Sequence, residues 1–260
     1  MEKYKYGLCL SGGGVRGLAH VGVIQAMQER GMEASVVSGA SAGAIVGALY
    51  AQGMTPDEML DFFYHTEIFR WSNYTWFKPG LIDTDKFYGI FKKHMPEDDF
   101  ESLSKELFVV TTDILHGKPR VFSEGPLIKP VLASAAFPVV LSPVEIEGVL
   151  YSDGGIVNNF PIELIRDKCK TLIGVYVNTP KTLKAEELDS TFAVLERAYH
   201  LNIAHQSLSK LPRVDVPITP SRLVEFNTFD TRHLKDIYEI GYEEACRVLD
   251  EYLAERSEEE

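Results

Sequence analysis

The sequence predicts an α/β fold in which helices cover both faces of a mostly parallel central sheet, giving three layers. The first 53 residues alternate strand, glycine loop, helix, strand, tight turn and helix, an order that implies parallel neighbouring strands with a right-handed crossover. Residues 171–177 form a continuous apolar run, which is typical of a parallel strand covered on both faces. A chain of 260 residues that is 45% apolar can bury one sizeable core, so we expect a single domain over residues 1–260.

The elements at the amino terminus place two glycine-containing turns after two neighbouring strands. The first strand, over residues 6–10, stops at a run of glycines, and the helix that follows, over residues 17–30, ends at Gly31. The apolar residues of this helix occupy nearly all of its sides, so we expect it to be buried against the sheet. A second strand over residues 34–37 leads to an apolar helix over residues 42–51. Because parallel neighbours end at the same edge, both turns open at one edge of the sheet.

The later elements continue this α/β pattern. Thr55-Pro56-Asp57-Glu58 is a capping box with proline at the first helical position, which predicts a new helix. A long helix over residues 232–253 closes the fold, and the acidic residues 255–260 are expected to form a disordered tail. Further strands are predicted over residues 107–113, 120–122, 149–152, 171–177 and 214–218.

Aromatic residues concentrate in one part of the chain. Residues 62–91 hold 11 of the 28 aromatics, within a helical cap segment over about residues 55–100, and we expect most of them to form the core of a helical subdomain. Asn73 and Pro79 interrupt regular helix in this segment. Four aromatic residues near these breaks are the better candidates for a lid: Trp71, Tyr74, Trp76 and Phe77. Because Trp and Tyr are favoured at lipid interfaces, the segment is also the candidate for peripheral membrane contact.

Composition excludes several classes of function. A net charge of −12 repels phosphate backbones, so nucleic acid is not an expected partner. The three cysteines, Cys9, Cys169 and Cys246, form no CxxC pair, which excludes a disulfide framework and fits a reducing compartment. No apolar run has the length of a signal-peptide core or the ~20 residues needed to span a bilayer, so we expect a cytoplasmic protein.

A candidate nucleophile lies in the second turn. Gly39-Ala40-Ser41-Ala42-Gly43 matches the G-x-S-x-G pattern of a nucleophile elbow. A serine at a sharp strand-to-helix turn needs neighbours without side chains, because the chain reverses tightly beside it. The dipole of the following helix favours negative charge that develops near the serine. A plain β-to-α turn with Ser41 as the helix cap is the alternative. The apolar strand before the motif and the apolar helix after it favour the elbow.

The glycine loop after the first strand is a candidate oxyanion hole. In Gly12-Gly13-Gly14-Val15-Arg16-Gly17, the backbone N–H groups of Gly12, Gly13 and Gly14 can converge on one anionic oxygen. The same residues fit a dinucleotide fingerprint, which also requires an acidic residue at the end of the second strand, whereas Glu33 precedes that strand. A nucleotide P-loop fits less well, because no Gly-Lys-Ser/Thr occurs. The position beside the elbow favours the oxyanion hole.

Serine needs a base, and the sequence offers two kinds of candidate. None of the seven histidines lies in a recognisable motif. His20 is expected in the buried first helix as a core residue, and His65 and His94 are expected to close helices, where a histidine suits the dipole. The other candidate is Asp153, which ends a strand and precedes two glycines. By itself, this pattern is better explained by a simple Asp-Gly turn.

Three motifs together resemble a known family. Residues 12–17, residues 39–43 and Asp153-Gly154-Gly155 occur in the order found in patatin-like phospholipases. The intervening stretch Ala133-Ser134-Ala135-Ala136-Phe137-Pro138 is also similar to that family. The resemblance covers roughly residues 5–180, and three motifs in order are far more specific than any one.

This resemblance implies a patatin-like acyl-hydrolase fold and a Ser–Asp dyad without a catalytic histidine. Ser41 attacks, Asp153 is the base, and the glycine loop is the oxyanion hole. The resemblance also implies lipid acyl esters as substrates and neither a metal nor a cofactor. The other motif residues are implied to support these groups: Arg16, Gly17, Gly39, Gly43, Gly154 and Gly155.

The dyad places a physical demand on its aspartate. A free aspartate has a pKa of ~3.9 and is a weak base for serine. Burial raises such a pKa, so we expect Asp153 to be largely buried in the cleft. Asn158 and Asn159 are candidates to hold its loop, or they form a polar turn before Pro161. Arg16 is a candidate to support the oxyanion loop, to meet a phosphate headgroup, or to form a salt bridge on the helix surface.

Three alternatives stay open at this point. An α/β-hydrolase esterase would use a Ser–Asp–His triad with His200, His205 or His233, although the elbow comes early in the chain for that fold. A transacylase of the acyl-carrier-protein kind would carry a histidine beside the serine, where Ala40 stands. A catalytically silent lipid-binding protein on the same fold is the third alternative. The choice among phospholipase, lysophospholipase and simple esterase also stays open.

Overall fold

The computed structural model describes residues 3–66, 84–138, 140–228 and 231–259, and it confirms the α/β fold with a central sheet flanked by helices. The strands of the sheet are β1 (Tyr4–Leu10), β2 (Val36–Ala40), β3 (Glu106–Asp113), β4 (Lys118–Phe122), β5 (Val144–Ile146), β6 (Val149–Asp153), β7 (Cys169–Val175) and β8 (Val216–Ile218). The helices are α1 (Ala19–Glu29), α2 (Ala42–Gln52), α3 (Pro56–His65), α4 (Thr84–His94), α5 (Ile128–Ser134), α6 (Gly155–Asn158), α7 (Thr191–Leu208) and α8 (Leu234–Glu259).

The sheet is parallel at its centre and antiparallel at one side. Its order is β5-β6-β3-β2-β1-β7-β8, and β4 also pairs with β3. The pairs β1–β2, β1–β7, β2–β3 and β7–β8 are parallel, whereas β3–β4, β3–β6 and β5–β6 are antiparallel. The mostly parallel sheet is therefore confirmed, with β1 and β2 as parallel neighbours.

Strands β2 and β6 follow one another along the same edge of β3. Val109 and Val110 pair with both β2 and β4, and residues 111–113 pair with both β4 and β6. Since a strand has two edges, β2 and β6 must share one of them. Ala40 lies opposite Val110, and Asp153 lies opposite the next residue, Thr111. The residue that follows β2 and the last residue of β6 are thus brought together.

Apolar side chains fill both faces of the sheet. Alternate residues of β1 point to opposite faces. Leu8 and Leu10 join the larger buried cluster, which includes residues of α1, α2 and α8. Cys9 joins a smaller cluster on the other face with Phe160 and Ile162. The central strands, whose ends carry the polar turns, are therefore packed between apolar side chains on both faces.

Among the boundaries that differ from the expectation, those of one strand and one helix bear on the site and on the expected tail. Strand β2 runs over Val36–Ala40 and not over residues 34–37, because Ser38 and Gly39 pair with strands on both sides and Ala40 pairs with β3. Helix α8 continues to Glu259, so the expected disordered tail over residues 255–260 is helical as far as Glu259. The end of this helix is rich in good helix formers, and pairs four residues apart, such as Arg247 with Glu251, support it.

The described part of the aromatic cap segment is a small helical core. Thr55 caps α3 by accepting from the Glu58 N–H group, which confirms the capping box. Phe62 is buried and packs edge-on against Phe91 and His94. The lid candidates Trp71, Tyr74, Trp76 and Phe77 lie outside the described residues. Among the residues that are described, no helix is both long and apolar enough to cross a bilayer.

Candidate active site

Ser41 occupies a strained turn between β2 and α2. Its φ is 53° and its ψ is −125°, a conformation that residues with a side chain rarely adopt. The two flanking glycines are required by close packing. A Cβ atom on Gly39 would lie 2.4 Å from the Gly43 carbonyl oxygen, and one on Gly43 would lie 2.2 Å from the Leu10 carbonyl oxygen. The geometry is that of the predicted nucleophile elbow.

A buried serine on another element holds this turn. Ser134, at the end of α5, accepts a hydrogen bond of 2.9 Å from the Ser41 backbone N–H group. The Ser134 hydroxyl donates in turn to the Val110 carbonyl oxygen of β3, at 2.6 Å. The stretch that contains Ser134 resembled the family, but nothing in its residue types indicated this contact. The strained turn is therefore fixed to the sheet from outside its own motif.

The Asp153 carboxylate lies directly beside the serine hydroxyl. The Ser41 hydroxyl donates to Asp153 Oδ2 over 2.7 Å. The other carboxylate oxygen, Oδ1, accepts from the Gly155 N–H group at 2.7 Å and from the Tyr199 hydroxyl at 3.4 Å. The Thr112 hydroxyl donates to the Asp153 carbonyl oxygen at 2.7 Å, which fixes the backbone. The carboxylate is thus oriented on both of its oxygens.

Burial tunes Asp153 toward the basicity that proton transfer requires. Its side chain is fully buried, which confirms the expectation from the sequence. Burial raises the pKa of Asp153 to about 6, although the hydrogen bonds from Ser41, Gly155 and Tyr199 each lower it. A carboxylate with this pKa is ionised at neutral pH and is a better proton acceptor than an exposed aspartate.

The two glycines after Asp153 make room for its surroundings. A Cβ atom on Gly154 would lie 2.1 Å from the Val110 carbonyl oxygen. A Cβ atom on Gly155 would lie 2.5 Å from the Tyr199 hydroxyl oxygen. Any side chain at either position would displace β3 or Tyr199. The Asp-Gly-Gly segment is therefore more than a simple turn, because it lets the carboxylate sit between β3 and α7.

The glycine loop offers two N–H groups and not three. The Gly12 N–H group donates to the Asn159 carbonyl oxygen at 3.1 Å, so Gly12 is not available as an oxyanion donor and that expectation is wrong. In the part of the chain that the structure describes, the N–H groups of Gly13 and Gly14 have no acceptor. Both residues line the same cavity as Ser41. Gly14 has a φ of 57°, in the left-handed region that favours glycine.

Arg16 and Gly17 attach the glycine loop to its neighbours. The Arg16 guanidinium donates through Nε and Nη2 to the Phe226 carbonyl oxygen, at 2.9 and 2.7 Å. A Cβ atom on Gly17 would lie 2.5 Å from Cβ of Ala42, the residue after the nucleophile. Arg16 therefore supports the loop, and Gly17 allows the loop to approach the elbow.

The two asparagines expected to hold the Asp153 loop have different positions in the structure. Asn159 lines the cavity and holds Gly12 through its backbone carbonyl group. Asn158 instead bonds Glu163 and Lys210 at the surface. Sequence reasoning missed Asn178, whose side-chain amide donates to the Gly12 carbonyl oxygen and which lies just beyond β7. Its only sequence signal is its place after a buried strand that neighbours β1.

The histidines do not complete a triad. His20 is fully buried, and its Nε2 atom donates to the Ser11 carbonyl oxygen at 2.8 Å, as a core residue. Burial lowers the pKa of His20 to about 4, so the ring is neutral. His200 lines the cavity, but its Nε2 atom bonds the Thr228 hydroxyl at 2.9 Å. Within the described residues, no histidine hydrogen-bonds Asp153 or Ser41.

The cavity at the dyad is small. It has a volume of about 20 Å³, which is room for about one water molecule, and its walls include Ser41, Asp153, Tyr199 and His200. A second cavity of about 130 Å³ adjoins it and shares His200. The described residues contain no group of histidine, cysteine or carboxylate side chains that could hold a metal ion. The arrangement is suited to nucleophilic chemistry on a carbonyl group.

Two solved structures share this fold. VipD from Legionella pneumophila matches with a TM-score of 0.57 and 17% identity, over 96% of this chain and 67% of that chain. ExoU from Pseudomonas aeruginosa, in its complex with SpcU, matches with a TM-score of 0.51 and 15% identity, over 96% of this chain and 52% of that chain. At such identities, the likeness shows the fold alone.

Curated relatives are longer than this chain. An uncharacterized NTE family protein of Mycobacterium tuberculosis is 36% identical over 162 residues, which is 60% of this chain and 44% of the relative. Lysophospholipase NTE1 of Candida glabrata is 31% identical over 183 residues, which is 66% of this chain and 10% of the relative. The chain therefore spans less than half the length of these relatives.

A family model covers the three motifs of the candidate site. The model of the patatin-like phospholipases matches residues 8–165, a range that contains the glycine loop, the elbow and Asp153. This range is more than half of the chain. The chain belongs to the patatin-like phospholipase family.

Proposed function

We propose that the protein is a serine acyl-hydrolase that cleaves acyl esters of lipids through a dyad of Ser41 and Asp153. The observation that carries the proposal is the 2.7 Å hydrogen bond from the Ser41 hydroxyl to a fully buried carboxylate. A serine is activated when a base within hydrogen-bond reach takes its proton. Asp153 has that reach, and its raised pKa of about 6 suits the task.

The first half of the reaction forms an acyl-enzyme. Asp153 takes the hydroxyl proton while Ser41 Oγ attacks the ester carbonyl carbon. The carbonyl oxygen gains the negative charge, and the N–H groups of Gly13 and Gly14 lie in the cavity wall where they can donate to it. The tetrahedral intermediate then expels the alcohol, which receives the proton from Asp153. The acyl group is left on Ser41.

The second half releases the fatty acid. A water molecule takes the place of the alcohol and gives a proton to Asp153 as its oxygen attacks the acyl carbon. The oxyanion forms again at the same N–H groups, and its collapse returns the proton to Ser41 Oγ. The products are a carboxylic acid and the free serine, so no group outside the dyad has to change its protonation state.

Lipid esters are the proposed substrates because of the family to which the chain belongs and the relatives that it matches. It belongs to the patatin-like phospholipase family, and lysophospholipase NTE1 is among its relatives. The Ser41 cavity, at about 20 Å³, does not accommodate an acyl chain in this conformation. The adjoining cavity of about 130 Å³, which shares His200 with it, offers further space for a substrate.

Hydrolysis of p-nitrophenyl butyrate and p-nitrophenyl palmitate tests the proposal. We expect Ser41→Ala and Asp153→Asn each to lower kcat at least 100-fold, because each removes one half of the proton transfer. The exposed residues Ser209 and Asp189 supply matched controls, Ser209→Ala and Asp189→Asn, which should keep the wild-type rate. A fluorophosphonate probe should label the wild type and not Ser41→Ala.

The same assay separates the alternatives. If Asp153→Asn keeps the wild-type rate while a single histidine variant at position 200, 205 or 233 loses it, a triad operates and the dyad proposal is wrong. A wild-type protein that binds fatty acid but neither hydrolyses an ester nor reacts with the probe would be a binding protein on this fold.

A further inference from the structure

Helix α7 carries apolar residues on two opposite sides. One side faces the candidate active site: Tyr199, His200 and Ile203 line the Ser41 cavity. The opposite side faces solvent. We call it the outer face of α7, and it is formed by Val194, Leu195, Ala198, Leu201 and Leu208.

From Val194 to Leu201 the outer face is a continuous stripe, because Ala198 lies three and four residues from Leu195 and Val194 and three from Leu201. Leu208 continues the same side two turns further on, beyond Asn202 and His205. Val194, Leu195 and Leu201 are 51, 52 and 48% exposed, respectively. Four of the nine large apolar residues that are exposed in the described chain belong to this helix. Exposed apolar residues that cluster in this way form a candidate interaction surface.

The stripe lies close to the nucleophile. The Tyr199 hydroxyl on the inner side hydrogen-bonds Asp153, and the Tyr199 ring packs edge-on against Phe137 at 5.0 Å between centroids. An α-helix with its side chains is about 10 Å across, so only one helix thickness separates the stripe from the dyad. Whatever covers the outer face therefore contacts a helix whose inner side lines the Ser41 cavity.

We propose that the outer face of α7 docks on the surface of a lipid bilayer or aggregate. The proposal rests on the proposed action on lipid esters, which supplies the reason for a lipid surface beside the dyad. A helix that is apolar on both sides is normally buried on both sides, and here nothing in the described chain covers the outer one.

The chemistry of the stripe favours lipid over a protein partner. Polar positions on this side of α7 are Thr191, Asn202 and His205, so it carries no carboxylate although the whole chain has a net charge of −12. It also lacks the tryptophan, tyrosine and arginine side chains that anchor most protein interfaces. An uncharged aliphatic stripe suits the hydrocarbon boundary of a zwitterionic bilayer.

Polar contacts tie α7 to the rest of the fold on its inner side and at its start, in addition to the Tyr199 hydrogen bond to Asp153. Ser190 caps its first turn through the Ala193 N–H group at 3.2 Å, and the Arg197 guanidinium donates to the Lys181 carbonyl oxygen at 2.9 Å. His200 bonds Thr228 at 2.9 Å. Docking of the outer face would place the inner side of α7, and with it the Ser41 cavity, one helix diameter from the lipid.

Vesicle co-sedimentation tests the proposal without turnover. The parent protein carries Ser41→Ala so that the lipid stays intact, and the vesicles are sucrose-loaded phosphatidylcholine. The test variant adds Leu195→Gln and Leu201→Gln, since glutamine keeps helix propensity and adds no charge. The control adds Tyr4→Gln, which removes a 38% exposed aromatic at the amino end of β1, the opposite edge of the sheet from Ser41. Thermal unfolding verifies that each variant is folded.

We expect the double variant to bind vesicles about 30-fold more weakly, since each half-exposed leucine loses about half of its transfer free energy. The control should bind as the parent does. Anionic phosphatidylserine in the vesicles should weaken binding, because the chain is acidic.

Two results would overturn the proposal. One is equal binding by the parent and the double variant, including no binding by either. The other is a parent that sediments as a dimer and becomes a monomer in the double variant, which would assign the outer face to a second copy of the chain. Ester hydrolysis by the wild type in solution tests the dyad separately, so failure of one proposal is distinguishable from failure of the other.

Discussion

Replacing Asp153 with asparagine should stabilise the folded protein at neutral pH while it removes the proposed catalytic base. A fully buried carboxylate is costly when it is ionised, because the charge has lost its hydration. The structure shows this cost as a pKa raised from 3.8 to about 6. A neutral side chain of the same shape avoids it.

The size of the effect depends on pH in a defined way. Well below pH 3.8 the aspartate is protonated in both states, so burial costs nothing through ionisation. Between 3.8 and about 6 the unfolded chain loses its proton while the folded one keeps it, so the free energy of unfolding falls as pH rises. At 1.36 kcal/mol per pKa unit, the loss grows from about 0.5 kcal/mol at pH 4 to about 3 kcal/mol at pH 8.

Asparagine can keep most of the local hydrogen bonds. Its side-chain oxygen can accept from the Gly155 N–H group and from Tyr199, as Oδ1 of Asp153 does. Its amide group can donate to Ser41 Oγ, which then acts as the acceptor. The stabilisation that appears between pH 4 and pH 8 is therefore attributed to the removed charge and not to lost contacts.

Thermal and urea unfolding of the wild type and Asp153→Asn at pH 4 and pH 8 provide the assay. We expect the stability difference to favour the variant by about 2.5 kcal/mol more at pH 8 than at pH 4, or roughly 5–10 °C in Tm. The exposed control Asp189→Asn should show no such dependence. A stability difference that is constant with pH, or that favours the wild type at pH 8, would refute the reasoning about burial.

Two further predictions concern the groups around the dyad. Tyr199→Phe removes a hydrogen bond that lowers the pKa of Asp153. In the pH profile of kcat/KM for a soluble ester, the acid limb should therefore move upward from about pH 6 by a few tenths of a unit or more. An acid limb that stays in place would contradict this role of Tyr199. Ser134→Ala leaves the Ser41 N–H group and the Val110 carbonyl oxygen without their buried partner, so it should cost about 1–3 kcal/mol in unfolding free energy and lower kcat more than it changes KM. If this variant keeps the stability and the kcat of the wild type, the turn at Ser41 does not depend on Ser134.

The parts of the site that could be predicted are those encoded by local geometry. Gly39 and Gly43 flank Ser41 because the turn has no room for side chains, and that requirement is visible in five consecutive residues. The Thr55 capping box is local in the same way. Asp153 was harder, since an Asp-Gly-Gly segment also makes ordinary turns, and its assignment depended on the order of three motifs along the chain.

The parts that could not be predicted depend on residues far apart in the sequence. Gly12 was expected to be an oxyanion donor, but its N–H group is used by the Asn159 carbonyl oxygen, which only the packing of two loops brings near. Ser134 and Tyr199 contact the dyad from α5 and α7, and no local pattern indicates such contacts. A serine and a tyrosine in apolar helices have many possible partners, and the fold selects one.

By itself, the sequence determined the class of fold, the strained serine turn, the glycine loop and the carboxylate at a strand end, because each is a short-range consequence of residue type and spacing. The tertiary structure alone decided that β2 and β6 meet along one edge of β3, which places Ser41 Oγ 2.7 Å from Asp153. It also decided that the carboxylate is fully buried, that the inner side of α7 lines its cavity, and that the outer face of α7 is exposed. Burial and strand register are sums over distant contacts, so no local segment carries them.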